Sequence, residues 1–407
     1  MLGYKRGLIA GLVALGMLVG CGGGGSSGGS GTGGTGADGT GGTGGSGTGG
    51  SQTGRNGCPT VPASTQPAGS VGAIVDAAVA VEMATQHMPG MTVEVAKNGA
   101  VLYTQGYGYA DLTTCTPMAA DAEMQIGSLT KQFTAVTILQ LQQAGKVDID
   151  QPVVTYLPTY AFDARITLRM LLNQTSGLQD YLGFPELQQY INGAPEAIAL
   201  NAIVQHSVHF APGTAYEYSN SNYFILGSIL EAVTASSYPD YLLAQVFAPA
   251  GLASTFYQRP ARSAQPYVPG SDGKPTAGVI PDSSAYFSAG ALWSNVQDLS
   301  IWDAALLSGK EIPSSLVTLM MTPSGVKPFN PQDGTSYGMG LVAAGTLAGH
   351  PFVWHNGQTI SYTSFNGMLT DDGFTLTVLT NYPTTEDLPL YGFGKNLISS
   401  LCTAPGC

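Results

Sequence analysis

The chain has 407 residues, a hydrophobic fraction of 43%, a charged fraction of only 10% and a formal net charge of −12. So few basic residues in an acidic chain argue against nucleic acid as a partner, and also against attachment to a membrane surface by charge. The length suffices for a substantial hydrophobic core.

The N-terminus has the pattern of a bacterial lipoprotein signal. Lys5 and Arg6 precede the apolar run from Gly7 to Val19, and the small residues before Cys21 resemble a lipobox. We therefore expect residues 1–20 to be a signal peptide and Cys21 to be lipidated. The residue after Cys21 is not aspartate, which points to the outer membrane on its periplasmic side. The alternatives are an ordinary signal peptide with a chance cysteine, or a transmembrane anchor, for which the run is short.

A flexible linker is predicted between this signal and the globular part. Residues 21–57 are almost entirely Gly, Ser and Thr, a composition that buries nothing and behaves as a coil. The rest, 58–407, is predicted to be one domain. Its four cysteines, in an exported chain, predict disulfides; three pairings are possible, and the favoured one is Cys58–Cys115 with Cys402–Cys407.

In the globular part, strand patterns at both ends enclose a helical middle. A helix is predicted over Val71 to His87, and Asn98-Gly99 between alternating apolar runs predicts a hairpin of strands Thr92–Ala96 and Val101–Tyr109. Further helices are predicted over Leu129 to about Ala144, Ala194–His206, Asn222–Ala235, Tyr238–Phe247, Asn295–Leu307 and Glu386 to Leu401. The late strands are predicted over Phe352–Trp354, Ser361–Leu369 and Phe374–Asn381.

These elements predict an α+β fold. In the simplest arrangement the N-terminal hairpin pairs with the C-terminal strands in one antiparallel sheet. The terminal helices then cover one face of that sheet, and the mostly helical inserted domain packs on the other.

The most informative segment is Ile126 to Phe133, in which Ser128 and Lys131 open a buried helical run. Residues i and i+3 share a helix face, so we expect the ammonium of Lys131 beside the hydroxyl of Ser128. A desolvated lysine there can accept the serine proton or stabilise the alkoxide, and the helix N-terminus also favours negative charge. The competing interpretation of Ser128 is a simple N-cap. The same Ser-x-x-Lys spacing recurs in two glycine-containing segments that run into proline and therefore predict turns, Ser271–Lys274 and Ser324–Lys327.

Two other segments carry candidate site residues. Tyr218 can act as a general base or acid if a nearby ammonium lowers its pKa, and Asn220 offers an amide to a substrate carbonyl. At a predicted strand end, His355 is a donor or proton carrier near neutral pH, and Gly357 lets a substrate backbone approach closely. Taken singly, a tyrosine-rich loop and a strand histidine are usually structural.

Taken together, the ordered motifs Ser-x-x-Lys, Tyr-x-Asn and His-x-Gly resemble those of the serine β-lactamase and penicillin-binding protein superfamily. The likeness covers roughly residues 70–400 and is to the branch of class C β-lactamases, DD-peptidases, D-aminopeptidases and related esterases. It implies the β-lactamase/transpeptidase-like fold and no metal or organic cofactor. The implied catalytic residues are Ser128, Lys131 and Tyr218, and the implied substrate-binding residues are Asn220, His355, Gly357 and Gln358.

The resemblance assigns a role to each of these positions. Ser128 is the acylated nucleophile, and whether Lys131 or Tyr218 takes its proton stays open. The backbone N–H groups of Ser128 and Gln358 form the oxyanion hole, and Asn220 positions the acyl group.

The expected activity is a serine hydrolase acting through an acyl-enzyme on amide or ester bonds. His355 stands where class C β-lactamases carry lysine, so DD-carboxypeptidase, D-amino-acid peptidase or esterase chemistry is expected ahead of β-lactamase activity. The partners expected are a small-molecule or peptidoglycan-like substrate and a membrane, through the lipid anchor. The alternative is a non-catalytic, peptidoglycan-binding or scaffolding lipoprotein that keeps the fold.

Overall fold

The structure is a computed structural model that describes residues 57–59, 66–67, 69–190, 193–326, 335–384, 388 and 390–403. The chain divides into two units, Met1–Thr60 and Val61–Cys407, and nearly all described residues belong to the second. The predicted signal peptide (1–20), the lipidated Cys21 and the linker up to residue 56 lie outside the described residues, so these stay predictions.

Helices fill the middle of the second unit and stand at both of its ends. In chain order they are α1 (Val71–Gln86), α2 (Thr130–Gln143), α3 (Leu168–Leu172), α4 (Glu196–Gln205), α5 (Asn220–Thr234), α6 (Tyr238–Leu242), α7 (Ala248–Ala250), α8 (Ser283–Gly290), α9 (Val296–Leu307), α10 (Ser314–Met321) and α11 (Tyr391–Thr403). A π-helical turn, Leu243–Phe247, connects α6 to α7.

The strands form one large antiparallel sheet and two small ones. They are β1 (Gly90–Lys97), β2 (Ala100–Asp111), β3 (Thr116–Pro117), β4 (Met124–Gln125), β5 (Tyr267–Pro269), β6 (Pro275–Ala277), β7 (Trp293–Ser294), β8 (Ser336–Tyr337), β9 (Val342–Leu347), β10 (His350–Gln358), β11 (Thr363–Leu369) and β12 (Phe374–Thr380). The large sheet has 8 strands in the order β3-β2-β1-β12-β11-β10-β9-β8.

The predicted pairing of the two ends of the chain is confirmed. Strand β1 lies antiparallel to β12, with Met91 opposite Thr380 and Lys97 opposite Phe374. Strands β1 and β2 are joined by a tight turn in which Asn98 and Gly99 have φ values of 53° and 76°, as a two-residue hairpin turn requires. The hairpin thus adds directly to the sheet built by the last strands.

The two faces of the sheet are covered as expected. The terminal helices α1 and α11 contact each other and one face, where Val93 and Val95 of β1 join Leu397 and Ile398 in one buried cluster. On the other face α9 contacts β1 and β12, and the amide of Asn366 donates to Asp303 at 2.7 Å. The buried helix α2 packs beyond that face against α5 and α8, so it is enclosed by protein along most of its length.

Some elements differ from the prediction. Strand β10 continues past Trp354 to Gln358, so the third motif lies within a strand. Strand β9 and helices α8 and α10 were not predicted; in α8, Phe287 has a φ of 42°, so the chain kinks inside it. Among the described residues, no helix is long and apolar enough to cross a membrane.

Disulfides are present in the described part of the chain. Cys58, Cys115 and Cys402 are each disulfide-bonded. Cys407 lies outside the described residues, so the favoured pairing stays a prediction.

Candidate active site

Ser128 lies in a 3₁₀ turn, Gly127–Leu129, that leads directly into α2. Gly127 adopts a φ of 52°, which sets the sharp entry to the turn and is tolerated by glycine. Helix α2 begins at Thr130 without a side-chain cap, so Ser128 does not serve as the simple N-cap of this helix. Its hydroxyl instead contacts two other polar side chains and is half-buried.

One of these side chains is Lys131, as the helix spacing predicts. Its ammonium donates to Ser128 Oγ at 3.1 Å, to Asn220 Oδ1 at 2.7 Å and to the carbonyl oxygen of Ala289 at 2.7 Å. The side chain is fully buried, so all three protons of the ammonium find acceptors inside the protein. Burial lowers the pKa of Lys131 from 10.5 to about 7, and the negative charge of Asp180 partly opposes this change.

The other side chain is Tyr218. It lies in the loop before α5, and its phenol donates to Ser128 Oγ at 2.7 Å. The ammonium of Lys131 lies over its ring, 4.8 Å from the centroid. An alcohol, an amine and a phenol that are far apart in sequence therefore converge at one point, which is the arrangement that activation of a serine nucleophile requires.

Asn220 is the first residue of α5, and its amide bridges the site to a carboxylate. The carbonyl oxygen accepts from Lys131, and Nδ2 donates to Asp180 Oδ2 at 2.8 Å. Asp180 was not predicted from the sequence, because it belongs to none of the three motifs. Burial raises the pKa of Asp180, while hydrogen bonds from Leu182 and Asn220 and the charge of Lys131 lower it.

Strand β10 runs beside the nucleophile turn at van der Waals distance. A Cβ on Gly357 would lie 2.0 Å from the carbonyl oxygen of Ile126 and 2.9 Å from the backbone nitrogen of Ser128, so only glycine fits there. A Cβ on Gly127 would likewise lie 2.8 Å from the backbone nitrogen of Gln358. The two N–H groups expected to form the oxyanion hole, those of Ser128 and Gln358, therefore belong to segments in direct contact.

His355 is more enclosed than the sequence suggests. Its side chain is 2% exposed, with Nδ1 at 2.6 Å from the carbonyl oxygen of Asn356 and Nε2 at 2.9 Å from the phenol of Tyr337. A carbonyl only accepts, so Nδ1 carries the proton and Nε2 accepts from Tyr337. Burial, followed by the charge of Lys131, lowers the pKa of His355 from 6.5 to about 3, so the ring is neutral at physiological pH.

The structure thus brings together all seven site residues predicted within the described part of the chain. Ser128, Lys131, Tyr218 and Asn220 are linked by hydrogen bonds, and β10 supplies Gly357 and Gln358 beside them. The side chain of Gln358 donates to the carbonyl oxygen of Thr384 at 2.7 Å, which leaves its backbone as the contribution to the site.

The remaining sequence candidates lie elsewhere. Ser271 and Lys274 are exposed in the turn between β5 and β6, as predicted. Lys327 and Cys21 lie outside the described residues. Within the ranges that the structure describes, no three or more His, Cys, Asp or Glu side chains are grouped so as to hold a metal ion.

Comparisons with known proteins agree with this geometry. The sequence model of the family described as Beta-lactamase matches residues 75–392. A Bacillus subtilis (strain 168) protein, PbpX, whose name describes a candidate penicillin-binding protein, is 32% identical over 267 residues, which cover 64% of this chain and 63% of that relative. A D-aminopeptidase of Cereibacter sphaeroides is 29% identical over 304 residues, which cover 72% of this chain and 57% of the relative. The chain therefore spans less than two thirds of the length of these curated relatives.

A solved structure shows the same fold over most of the chain. The D-amino acid amidase from Ochrobactrum anthropi SV3, complexed with L-phenylalanine, superimposes with a TM-score of 0.66 at 27% identity. The match covers 82% of this chain and 97% of the amidase. The fold class implied by the three motifs is thereby confirmed.

Proposed function

The chain belongs to the Beta-lactamase family, and from this membership we propose that it is a serine hydrolase that cleaves amide or ester bonds through an acyl-enzyme on Ser128. One observation carries the proposal. The Ser128 hydroxyl lies within hydrogen-bond distance of both the Lys131 amine, at 3.1 Å, and the Tyr218 phenol, at 2.7 Å. A nucleophile in contact with two groups that can move its proton is the signature of covalent acyl transfer.

In the acylation step, Ser128 Oγ attacks the substrate carbonyl carbon while its proton passes to Lys131 or Tyr218. With a pKa of about 7, Lys131 is neutral in a large fraction of molecules at neutral pH, and the lone pair of the neutral amine can accept that proton. The carbonyl oxygen becomes an oxyanion facing the backbone N–H groups of Ser128 and Gln358. When the tetrahedral adduct collapses, the bond to the leaving amine or alcohol breaks, and that group takes a proton from Tyr218, which receives in turn the proton that Ser128 gave up.

Deacylation reverses these roles with water as the nucleophile. Tyr218 or Lys131 accepts a proton from water, which adds to the acyl carbon, and Ser128 Oγ leaves and regains a proton. The carbonyl oxygen of Asn220 accepts from Lys131, so the Asn220 amide holds the Lys131 side chain in place.

The substrates we propose are amides and esters of D-amino acids or short acyl groups. The relatives named D-aminopeptidase and D-amino acid amidase support the D-amino-acid class. Because His355 is neutral, the third motif offers no positive charge to a substrate carboxylate. This supports substrates that are recognised by groups other than a carboxylate. Efficient cleavage of β-lactams or of C-terminal D-alanyl-D-alanine is therefore not part of the proposal.

A substrate panel tests this proposal. We expect turnover of D-phenylalanine p-nitroanilide or p-nitrophenyl butyrate, with kcat/KM at least about tenfold above that for nitrocefin or a D-alanyl-D-alanine peptide, since a charge-assisted hydrogen bond contributes about this factor. The measurement is initial rates at neutral pH, with the L-anilide as the stereochemical control.

The matched variant for this panel is His355→Lys. A lysine there should raise the ratio of carboxylate-bearing to carboxylate-free turnover, whereas His355→Gln, which stays neutral, should not. An unchanged ratio in the lysine variant, or a wild-type preference for nitrocefin, contradicts the proposed role of His355.

We also propose that the chain is a lipid-anchored protein of the cell envelope, attached through Cys21 on the periplasmic side of the outer membrane. The sequence of residues 1–21 supports this. Expressed from the full gene in a Gram-negative host, the protein should partition into detergent and incorporate labelled fatty acid, and Cys21→Ala should lose both properties. Labelling that survives in the alanine variant would refute the anchor.

A further inference from the structure

A carboxylate outside the three motifs is connected to Lys131, the neighbour of the nucleophile, by hydrogen bonds through the Asn220 amide. We infer that Asp180 is a positioning residue for the reaction of Ser128, because its carboxylate fixes the Asn220 amide in the orientation that turns the carbonyl oxygen towards Lys131. This inference deepens the proposed function and rests on it. Asp180 itself does not touch Ser128; it acts through Asn220.

The loop that carries Asp180 is fastened to the start of α5. Gln174 Oε1 accepts from the backbone nitrogen of Ser219 at 3.0 Å, and the hydroxyl of Ser221 donates to the carbonyl oxygen of Gln179 at 2.6 Å. Ser221 Oγ also accepts from the backbone nitrogen of Tyr181 at 2.9 Å. The residues on both sides of Asp180 are therefore bonded to the start of the helix that holds Asn220, which fixes the two side chains relative to each other.

A carboxylate is needed at this position because the Asn220 amide could otherwise adopt either of two orientations. The two ends of an asparagine side chain have nearly the same shape, and rotation by half a turn exchanges the oxygen for the NH₂ group. If Asn220 turned over, its NH₂ group would face the Lys131 ammonium, and donor would meet donor. Asp180 prevents this, since Oδ2 accepts from Nδ2 of Asn220 at 2.8 Å while Oδ1 accepts from the backbone nitrogen of Leu182 at 3.1 Å.

Asp180 also supplies a negative charge to the surroundings of Lys131. The other groups that face the ammonium are the rings of Tyr218 and Tyr223, with centroids at 4.8 and 5.5 Å, and neutral His355 on β10. Asp180 acts against burial and raises the pKa of Lys131. Removal of its charge should therefore make the amine easier to deprotonate.

The test is Asp180→Asn in the full-length protein, with a substrate that the wild type turns over. We expect kcat/KM near pH 8 to fall roughly 10- to 100-fold, because the new amide presents an NH₂ group to a donor and releases Asn220. The acid limb of the pH profile should move to lower pH by about one unit, because the negative charge of Asp180, which raises the pKa of Lys131, is lost. A merely structural role would reduce the amount of active enzyme without moving that limb.

A second variant, Asp180→Ser, separates the two effects and serves if the asparagine variant does not fold. Serine removes the charge without placing an NH₂ group against a donor, so the limb should move while more of the rate is kept. The matched control is Glu186→Gln. It removes an exposed carboxylate that lies near Asp180 in the sequence and is bonded to His206, so kcat/KM and the acid limb of the pH profile should not change.

A measurement that needs no substrate turnover separates this inference from the proposed function. Titration of Lys131 by NMR in protein labelled with ¹³C-lysine, assigned with Lys131→Arg, should show the same downward move in both Asp180 variants. That move in a protein that hydrolyses no substrate would refute the proposed function, and with it a role of Asp180 in catalysis, although it would still show that Asp180 acts on Lys131. An active protein in which both variants leave the NMR pKa and the acid limb unchanged overturns the role of Asp180.

Discussion

Replacement of Ser128 by alanine is expected to abolish hydrolysis of every substrate, with kcat falling by roughly 10³- to 10⁶-fold, as loss of a covalent nucleophile does in other serine hydrolases. Only the hydroxyl group is removed, and its two hydrogen-bond partners, Lys131 and Tyr218, stay in place. Initial rates on the wild-type substrate give the size of the loss. Labelling with a fluorophosphonate or a fluorescent penicillin, followed by mass mapping, should mark Ser128 in the wild type and nothing in the variant.

The chain provides its own control for this experiment. Ser271 also stands three residues before a lysine, but in an exposed turn, so Ser271→Ala should keep full activity and labelling. The Ser128→Ala protein should unfold at nearly the wild-type temperature, because the side chain is small and half-buried. The experiment also addresses the non-catalytic alternative: a scaffolding protein would lose no biological function with Ser128→Ala, and that result would refute the enzyme.

The sequence was sufficient for the parts of the fold that local rules control. Asn98-Gly99 demanded a hairpin, and the position of Lys131 beside Ser128 follows from helix spacing alone. Strand β9 escaped prediction because its sequence, Val342–Leu347, holds two alanines and a glycine and so has little alternation of apolar and polar residues. The kinked helix α8 escaped because its serines and glycine favour no regular element.

The convergence of the site could be predicted only through the ordered motifs, since no periodicity connects Ser128 to Tyr218, 90 residues away. Asp180 has no such motif, and its importance depends on a loop whose course is set by hydrogen bonds to α5. An ordinary histidine is already mostly neutral at pH 7, but the strong lowering of the pKa of His355 was beyond the sequence. That lowering depends on burial of the ring and on the charge of Lys131, which lies far away in the sequence.

The protonation state of Lys131 is expected to control the rate of the enzyme. In wild-type enzyme we expect kcat/KM to rise with pH through an acid limb near pH 7, because burial lowers the pKa of Lys131 to about 7 and only the neutral amine can accept the Ser128 proton. Lys131→Ala should reduce kcat by roughly 10³-fold or more, since the base and the anchor for Asn220 are lost together. The measurement is a pH–rate profile from about pH 5 to about pH 9.

Lys131→Arg decides between charge and proton transfer. An arginine keeps a permanent positive charge and can donate to the same acceptors, Asn220 and Ala289, but it cannot give up its proton in this range. If the amine acts as a base, the arginine variant is as inactive as the alanine variant, and any residual rate has no limb near pH 7. If the arginine variant keeps the wild-type rate and limb, the titrating group is not Lys131, and the proton of Ser128 must pass to Tyr218 alone.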